Sequence, residues 1–297
     1  MAKKRLFTGC GTALVTPFRD GAVDYAALDQ LIDWQIAEGA DALVVAATTG
    51  EGATLSHEEH VECIDFCVRH IAGRVPVIAG TGSNDTAYSL ELSREAAKSG
   101  ADGLLLVSPY YNKCTQAGLI AHFLAVADTV DLPVIIYNVP SRTNLPIAPA
   151  TVIKLAEHPN IVGLKEAGSE IKASTLIAAG CAGKLDIYSG NDENIVPLMA
   201  IGAIGVISVL SNLVPRELHN LCSSFLAGDL QAARSLQLKY IKLVDLLFCE
   251  PSPIPVKRAM QLMGLDSGEL RLPLTPMEPQ DSAKLEAEMR ALGLIGK

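Results

Sequence analysis

Lys165 closes the run Ile161-Val162-Gly163-Leu164-Lys165, which reads as a strand buried on both faces with a primary amine at its end. Burial disfavours the ammonium form, and the neutral amine is the nucleophile that makes a Schiff base with a carbonyl. The competing reading is a lysine that snorkels to solvent or pairs with a carboxylate. Side chains of matching chemistry lie at the ends of other apolar runs: Thr48-Thr49-Gly50-Glu51, Pro109-Tyr110-Tyr111-Asn112, Tyr137-Asn138-Val139-Pro140-Ser141-Arg142-Thr143 and Ser189-Gly190-Asn191-Asp192. Each has a structural explanation when taken singly. Threonines favour strands, tyrosines make rim contacts, and an arginine pairs with surface carboxylates. Brought to one place, an amine, phenols, hydroxyls and a guanidinium form a working set for carbonyl chemistry.

A regular alternation of elements would bring them there. Apolar or β-branched runs recur at Ala13 to Thr16, Ala42 to Ala47, Val75 to Gly80, Gly103 to Ser108, Pro133 to Asn138, Ile161 to Lys165, Asp186 to Ser189 and Gly205 to Val209. Most are continuous rather than alternating, as parallel strands covered on both faces are. Helical patterns separate them. Ser56-His57-Glu58-Glu59 is a capping box opening an apolar-periodic stretch through Ile71, and Asp24 to Glu38 and Asn84 to Ser99 stop at Gly39 and Gly100. The pattern predicts an α/β fold, a (β/α)8 TIM barrel, whose strand ends share one mouth. From about Pro215 the chain is helical, broken at Gly228, Pro251 to Pro255 and Pro273 to Pro279. The expected division is a catalytic barrel over 1–224 and an all-helical C-terminal domain over 225–297.

Composition narrows the partners. The 297 residues carry a net charge of -9 without a basic stripe, which argues against nucleic-acid binding. Apolar runs such as Gly202 to Leu210 are too short to span a bilayer. The start Met1-Ala2-Lys3-Lys4-Arg5 resembles a signal n-region, but Gly9, Gly11 and Pro17 break the apolar stretch that a signal requires, so a cytoplasmic start is expected. Seven cysteines without a Cys-x-x-Cys pair fit free thiols in a reducing compartment, with Cys63 and Cys67 on one core-facing side of a helix. His57 and His60 raise a metal site, but neither His-Glu-x-x-His nor a third ligand accompanies them, and a solvated helix start is expected instead. Gly80-Thr81-Gly82 has Asp85 where a dinucleotide loop needs its third glycine. Pyridoxal phosphate on the lysine has no further support, and no cofactor or metal is expected.

In these motifs, together with Gly11-Thr12-Ala13-Leu14-Val15-Thr16-Pro17-Phe18, Gly80-Thr81-Gly82 and Gly163-Leu164-Lys165-Glu166, the chain resembles the dihydrodipicolinate synthase family of pyruvate-dependent class I aldolases along essentially its whole length. The resemblance implies that Lys165 forms an iminium with pyruvate, which loses a proton to give an enamine that attacks an aldehyde. It implies that Tyr137 shuttles protons at the Schiff base, with Thr49 and Tyr111 completing the relay and Tyr111 reaching a neighbouring subunit's site. Thr48 and Thr49 would hold the pyruvate carboxylate, Gly190 and Ile207 would line the pocket, and Arg142 would bind the carboxylate of L-aspartate 4-semialdehyde. The product would be the cyclic precursor of diaminopimelate and lysine. The related N-acetylneuraminate lyases usually carry Ser-Thr in place of Thr48-Thr49 and lack the arginine, so a sugar-acid aldolase is the alternative, followed by a silent keto-acid-binding barrel. A homotetramer of tight dimers is implied. So is a lysine-inhibition pocket at Ala53, His57, His60, Asn84 and Tyr110, weakened because Tyr88 stands where lysine-sensitive members usually have a glutamate.

Overall fold

The computed structural model describes residues 3, 5–181 and 183–296. Eight parallel strands close into a barrel: β1 (Gly9–Ala13), β2 (Ala42–Val45), β3 (Val77–Gly80), β4 (Gly103–Val107), β5 (Val134–Asn138), β6 (Ile161–Glu166), β7 (Asp186–Ser189) and β8 (Gly205–Ser208). Each strand pairs with its neighbour in sequence, and β8 closes on β1 with Gly9 opposite Gly205 and Thr12 opposite Ser208. This is the (β/α)8 TIM barrel that the alternation predicts.

The first strand is displaced from the expected Ala13 to Thr16. It is Gly9–Ala13, a glycine-rich run with little apolar signal, because the barrel needs close approach there more than apolar bulk. A Cβ on Gly205 would lie 1.9 Å from the Gly9 carbonyl oxygen, and one on Gly11 would lie 2.8 Å from the Phe7 ring. Helix boundaries match their caps. Ser56 and Glu59 form the reciprocal capping box of the helix His57–Ile71, Asp24 caps Tyr25–Ala37, and Thr86–Ser99 ends at Gly100 with φ 88°.

Buried apolar side chains divide into two clusters. The larger lies between strands and helices, where Cys63 and Cys67 are buried as expected. The smaller fills the barrel interior with Ala13, Val44, Ile78, Leu105, Ile135, Tyr137, Tyr188 and Ile207. Its floor is closed by Phe7, whose ring stacks on Tyr188 at 4.4 Å while the Tyr188 hydroxyl donates to the Phe7 carbonyl at 2.8 Å. Small residues prevail toward the other end, and there the interior opens as a cavity.

After β8 comes the helix Pro215–Leu226, which packs on β1, so the expected division at 224/225 falls within a helix. The helices Leu230–Leu247, Ile254–Met263 and Pro279–Ala291 complete the chain's C-terminal extension. Their buried faces, including Leu243, Leu247, Met260, Leu285 and Met289, belong to the same cluster as the barrel's outer shell. The extension therefore shares the barrel's core. Among the described residues no helix is long and apolar enough to cross a membrane.

Candidate active site

Strand register sets the centre of the site. Tyr137 of β5 pairs with Lys165 of β6, which pairs with Tyr188 of β7, so the three residues lie side by side in one layer. Lys165 is 4% exposed and its Nζ sits 4.2 Å from the centroid of the Tyr137 ring. Burial lowers its pKa from 10.5 to about 7; the Asp192 carboxylate opposes the shift and the Arg142 guanidinium adds to it. Holding the ammonium form here costs on the order of 5 kcal/mol relative to water. A large fraction of the amine is thus unprotonated at neutral pH, as nucleophilic attack requires.

Two glycines make room, one for that lysine and one for the side chains packed around it. A Cβ on Gly190 would lie 3.1 Å from Lys165 Cγ and 2.8 Å from Ala167 Cβ, and one on Gly163 would crowd Ile135 and Tyr188. Ile207, fully buried, belongs to the interior cluster with Tyr137 and Tyr188. Just outside, Asn138 donates to both oxygens of Glu166 at 2.9 and 3.1 Å and accepts from the Ile147 N–H at 3.0 Å, tying together the tops of β5 and β6.

Tyr137 complements the amine. Burial raises its phenol to about 12, with Arg142 opposing, so it remains a proton donor across the neutral range. Arg142 lies on the short helical turn Pro140–Thr143 after β5, and its guanidinium donates to the Ser252 carbonyl at 3.0 Å. Asp192 is the carboxylate that acts on Lys165. Its Oδ2 accepts from the Val209 and Leu210 N–H groups at 3.1 and 2.9 Å, its Oδ1 has no partner among the described residues, and burial raises its pKa.

A cavity of about 430 Å³ opens beside these groups, lined among others by Thr48, Tyr110, Tyr137, Arg142 and Ser252. The hydroxyl loop after β2 folds back on the chain beyond β1, with Thr16 Oγ1 donating to the Gly50 carbonyl at 2.7 Å. Thr48 is at the cavity wall, whereas Thr49 is buried away from it. The chain turns here, entering at the left-handed Ala46 with φ 52°, and motif spacing does not say which of the two threonines faces in. Tyr111 stands apart from the site of its own chain. It is 92% exposed at φ 69°, a left-handed conformation in which an aromatic residue is uncommon.

The second residue group also assembles. Ala53, His60, Tyr88 and Tyr110 line the same cavity, the His57 ring lies 5.9 Å from that of Tyr88, and the Asn84 carbonyl accepts from Asn112 Nδ2 at 3.0 Å. His60 corrects the expectation of a solvated helix start: it is buried and its Nε2 meets the Gly80 carbonyl at 2.8 Å, because the helix lies across the end of β3. Burial lowers its pKa, which keeps the ring neutral. Among the described residues no three His, Cys, Asp or Glu side chains are grouped as metal ligands. Sequence reasoning left Asp192, Ser252 and Glu51 without a role. Asp192 and Glu51 were signalled by their strand-end position, and Ser252 only by the proline-rich break around it.

Comparison with known proteins bears on this geometry. A profile of the dihydrodipicolinate synthetase family matches residues 6–292. The 4-hydroxy-tetrahydrodipicolinate synthase of Lachnoclostridium phytofermentans is 52% identical over 292 residues, covering 98% of this chain and 99% of that protein. The crystal structure of dihydrodipicolinate synthase from Aquifex aeolicus superposes with a TM-score of 0.96 at 45% identity, covering 98% and 100% of the two chains. That of the chloride-inhibited enzyme from Acinetobacter baumannii complexed with pyruvate gives 0.95 at 44% identity, covering 97% and 99%.

The electrostatics of the amine have a measurable consequence. Initial rates of borohydride trapping of a keto acid on Lys165 will rise through pH about 7 and level off above it, whereas an amine at its ordinary 10.5 would keep accelerating past pH 9. Arg142→Ala removes a neighbouring cation and will move the midpoint upward; an unmoved midpoint would contradict that influence. The folded state holds the amine below its unfolded value, so the burial penalty is complete below pH 7 and mostly gone by about pH 10. Lys165→Met will therefore raise the melting temperature more at pH 6 than at pH 10.

Proposed function

The chain belongs to the dihydrodipicolinate synthetase family, and from that premise we propose that it condenses pyruvate with L-aspartate 4-semialdehyde, through a Schiff base on Lys165, to give 4-hydroxy-tetrahydrodipicolinate for diaminopimelate and lysine biosynthesis. The observation that carries the reading is a buried amine with its pKa lowered to about 7, on the face of a protonated phenol whose cavity a guanidinium shares. Lys165 Nζ attacks the ketone carbon of pyruvate, water leaves, and the iminium draws electrons from the methyl group, which loses a proton. The resulting enamine carbon bonds to the aldehyde carbon of the semialdehyde, whose oxygen takes up a proton. The semialdehyde's amine then adds to the iminium carbon, closing the ring and returning Lys165 as the free amine.

Tyr137, a donor throughout the neutral range, delivers the protons at the carbinolamine and aldehyde oxygens. Thr48, at the cavity wall, also fits the relay role that the resemblance gives Thr49, and the two threonines hold the pyruvate carboxylate. Arg142 presents a cation to a second carboxylate, which the semialdehyde has and a neutral sugar lacks. Gly190 and Ile207 shape the space beside the Schiff base. The exposed Tyr111 completes the relay of a neighbouring subunit, so activity requires the tight dimer and pairs of dimers form the tetramer. Free cysteines, among the described residues, agree with a cytoplasmic enzyme.

Three measurements test this. Semialdehyde consumption will depend on pyruvate and vanish in Lys165→Ala, while Arg142→Ala will raise the semialdehyde KM, lower turnover and leave pyruvate imine formation intact; normal kinetics in the arginine variant would remove the substrate assignment. Co-expressing Lys165→Ala with Tyr111→Phe will recover activity that neither variant has alone, because a mixed dimer keeps one site free of both defects. Failure to complement would place Tyr111 outside the relay. L-Lysine will inhibit weakly, and Tyr88→Glu will tighten its binding by about tenfold to a hundredfold, as one added charge-assisted contact does. Strong inhibition of the unsubstituted protein at low lysine would refute the role given to Tyr88.

A further inference from the structure

The molecule fully buries a second lysine that the chemistry above does not use. Lys257, in the helix Ile254–Met263 of the C-terminal extension, is 0% exposed. Its Nζ donates to the Thr16 carbonyl at 2.9 Å and to Glu51 Oε1 at 2.9 Å, and lies 4.3 Å from the centroid of the Phe18 ring. The other oxygen of Glu51 accepts from the Arg271 N–H at 3.2 Å. Both partners of this carboxylate therefore come from the extension. Glu51 itself ends the hydroxyl loop at φ 52°, ψ 32°, a left-handed conformation that a residue with a side chain holds only where its surroundings over-determine it.

The far end of the loop is held from the same side. The Arg271 guanidinium donates to the Thr54 carbonyl at 3.0 Å and forks onto both oxygens of Glu59 at 2.6 Å each. Glu59 is the capping-box glutamate of the helix His57–Ile71, so Arg271 fixes the point where loop becomes helix. Between these clamps the chain from Glu51 to Ser56 has little freedom, and the Glu51 N–H donates to the Thr48 carbonyl at 3.1 Å, which ties Thr48 to the clamped residue. An ion pair sealed from water adds little stability over apolar groups of the same shape, and its best-attested use is to fix register. Here the register is that of the loop carrying Thr48 to the cavity wall.

We propose that Lys257 is a positioning residue for the reaction: by fixing Glu51 it sets the Thr48 hydroxyl against the cavity, so that capture of the keto-acid carboxylate depends on the C-terminal extension. This rests on reading the Thr48–Thr49 loop as the pyruvate carboxylate site. Arg142 is tied to the same extension at the Ser252 carbonyl, but not through Glu51, so the second substrate feels the loss of Lys257 less.

The test is a double-mutant cycle. Lys257→Met and Glu51→Gln are each made alone and with Thr48→Val, and borohydride trapping of pyruvate, both KM values and melting curves are measured well below the melting temperature. Lys257→Met will raise the pyruvate KM about tenfold and slow trapping, with the semialdehyde KM changed by no more than about twofold. In the Thr48→Val background the same substitution will add less than about threefold, because both changes act through one hydroxyl. Equal rises in both KM values, or effects that multiply independently of Thr48, would overturn the proposal. Should Lys257→Met not fold, Glu51→Gln, which keeps the shape and removes the charge, must show the same selective rise. Failure of the unsubstituted protein to trap pyruvate at all would instead sink the keto-acid reading, and the proposal with it.

Discussion

The desolvation of one amine governs this structure. A lysine in water holds its proton until far above neutrality, and no arrangement of nearby hydroxyls alone makes it a nucleophile at pH 7. The barrel supplies the missing term by closing β6 around Lys165 on every side. The carboxylate that acts on it, Asp192, is itself buried and bound by two backbone N–H groups, so it offsets part of the penalty without restoring the ordinary pKa. Had Asp192 paired directly with the amine, the ammonium would have been stabilised and the nucleophile lost.

That constraint explains the distribution of side-chain sizes in the barrel. Large groups are placed beside and below the lysine, where Tyr188 of the same layer stacks on Phe7 and the pair shuts the floor to water. Glycines are placed beside it, at positions 163 and 190, where any side chain would meet Lys165 or its neighbours. Polar groups are confined to the mouth, and there each is held by something else: Arg142 by Ser252, Asn138 by Glu166, Glu51 by Lys257. Preorganisation of this kind limits reorganisation during the reaction, and it explains why so many contacts near the site join parts of the chain distant in sequence.

The sequence disclosed the parts of this that are local. Continuous apolar runs marked seven of the strands closely, and a lysine, a tyrosine and an arginine just at or after such runs pointed to the mouth. The remaining strand was misplaced because its glycines answer to close neighbours that the run's own composition does not reveal, Gly205 on the paired strand and the Phe7 ring inside the barrel. His60 was misread because a polar residue at a helix start is usually solvated, and only the packing of that helix over Gly80 buries it. The choice between Thr48 and Thr49 hangs on loop direction, which composition does not encode. Lys257 gave no signal, since the carboxylate that justifies its burial lies 206 positions earlier in the chain.

The clamp on the hydroxyl loop also orders events during synthesis. Strands and helices of the barrel emerge from the ribosome first, and domains fold in that direction as they emerge. Lys257 and Arg271 are made after all eight strands, so the barrel has its amine in sequence before the loop that must face it can be fixed. A chain that has not reached Lys257 lacks both partners of the Glu51 carboxylate. The fixing of that loop thus follows, and does not accompany, the making of the strands that surround it.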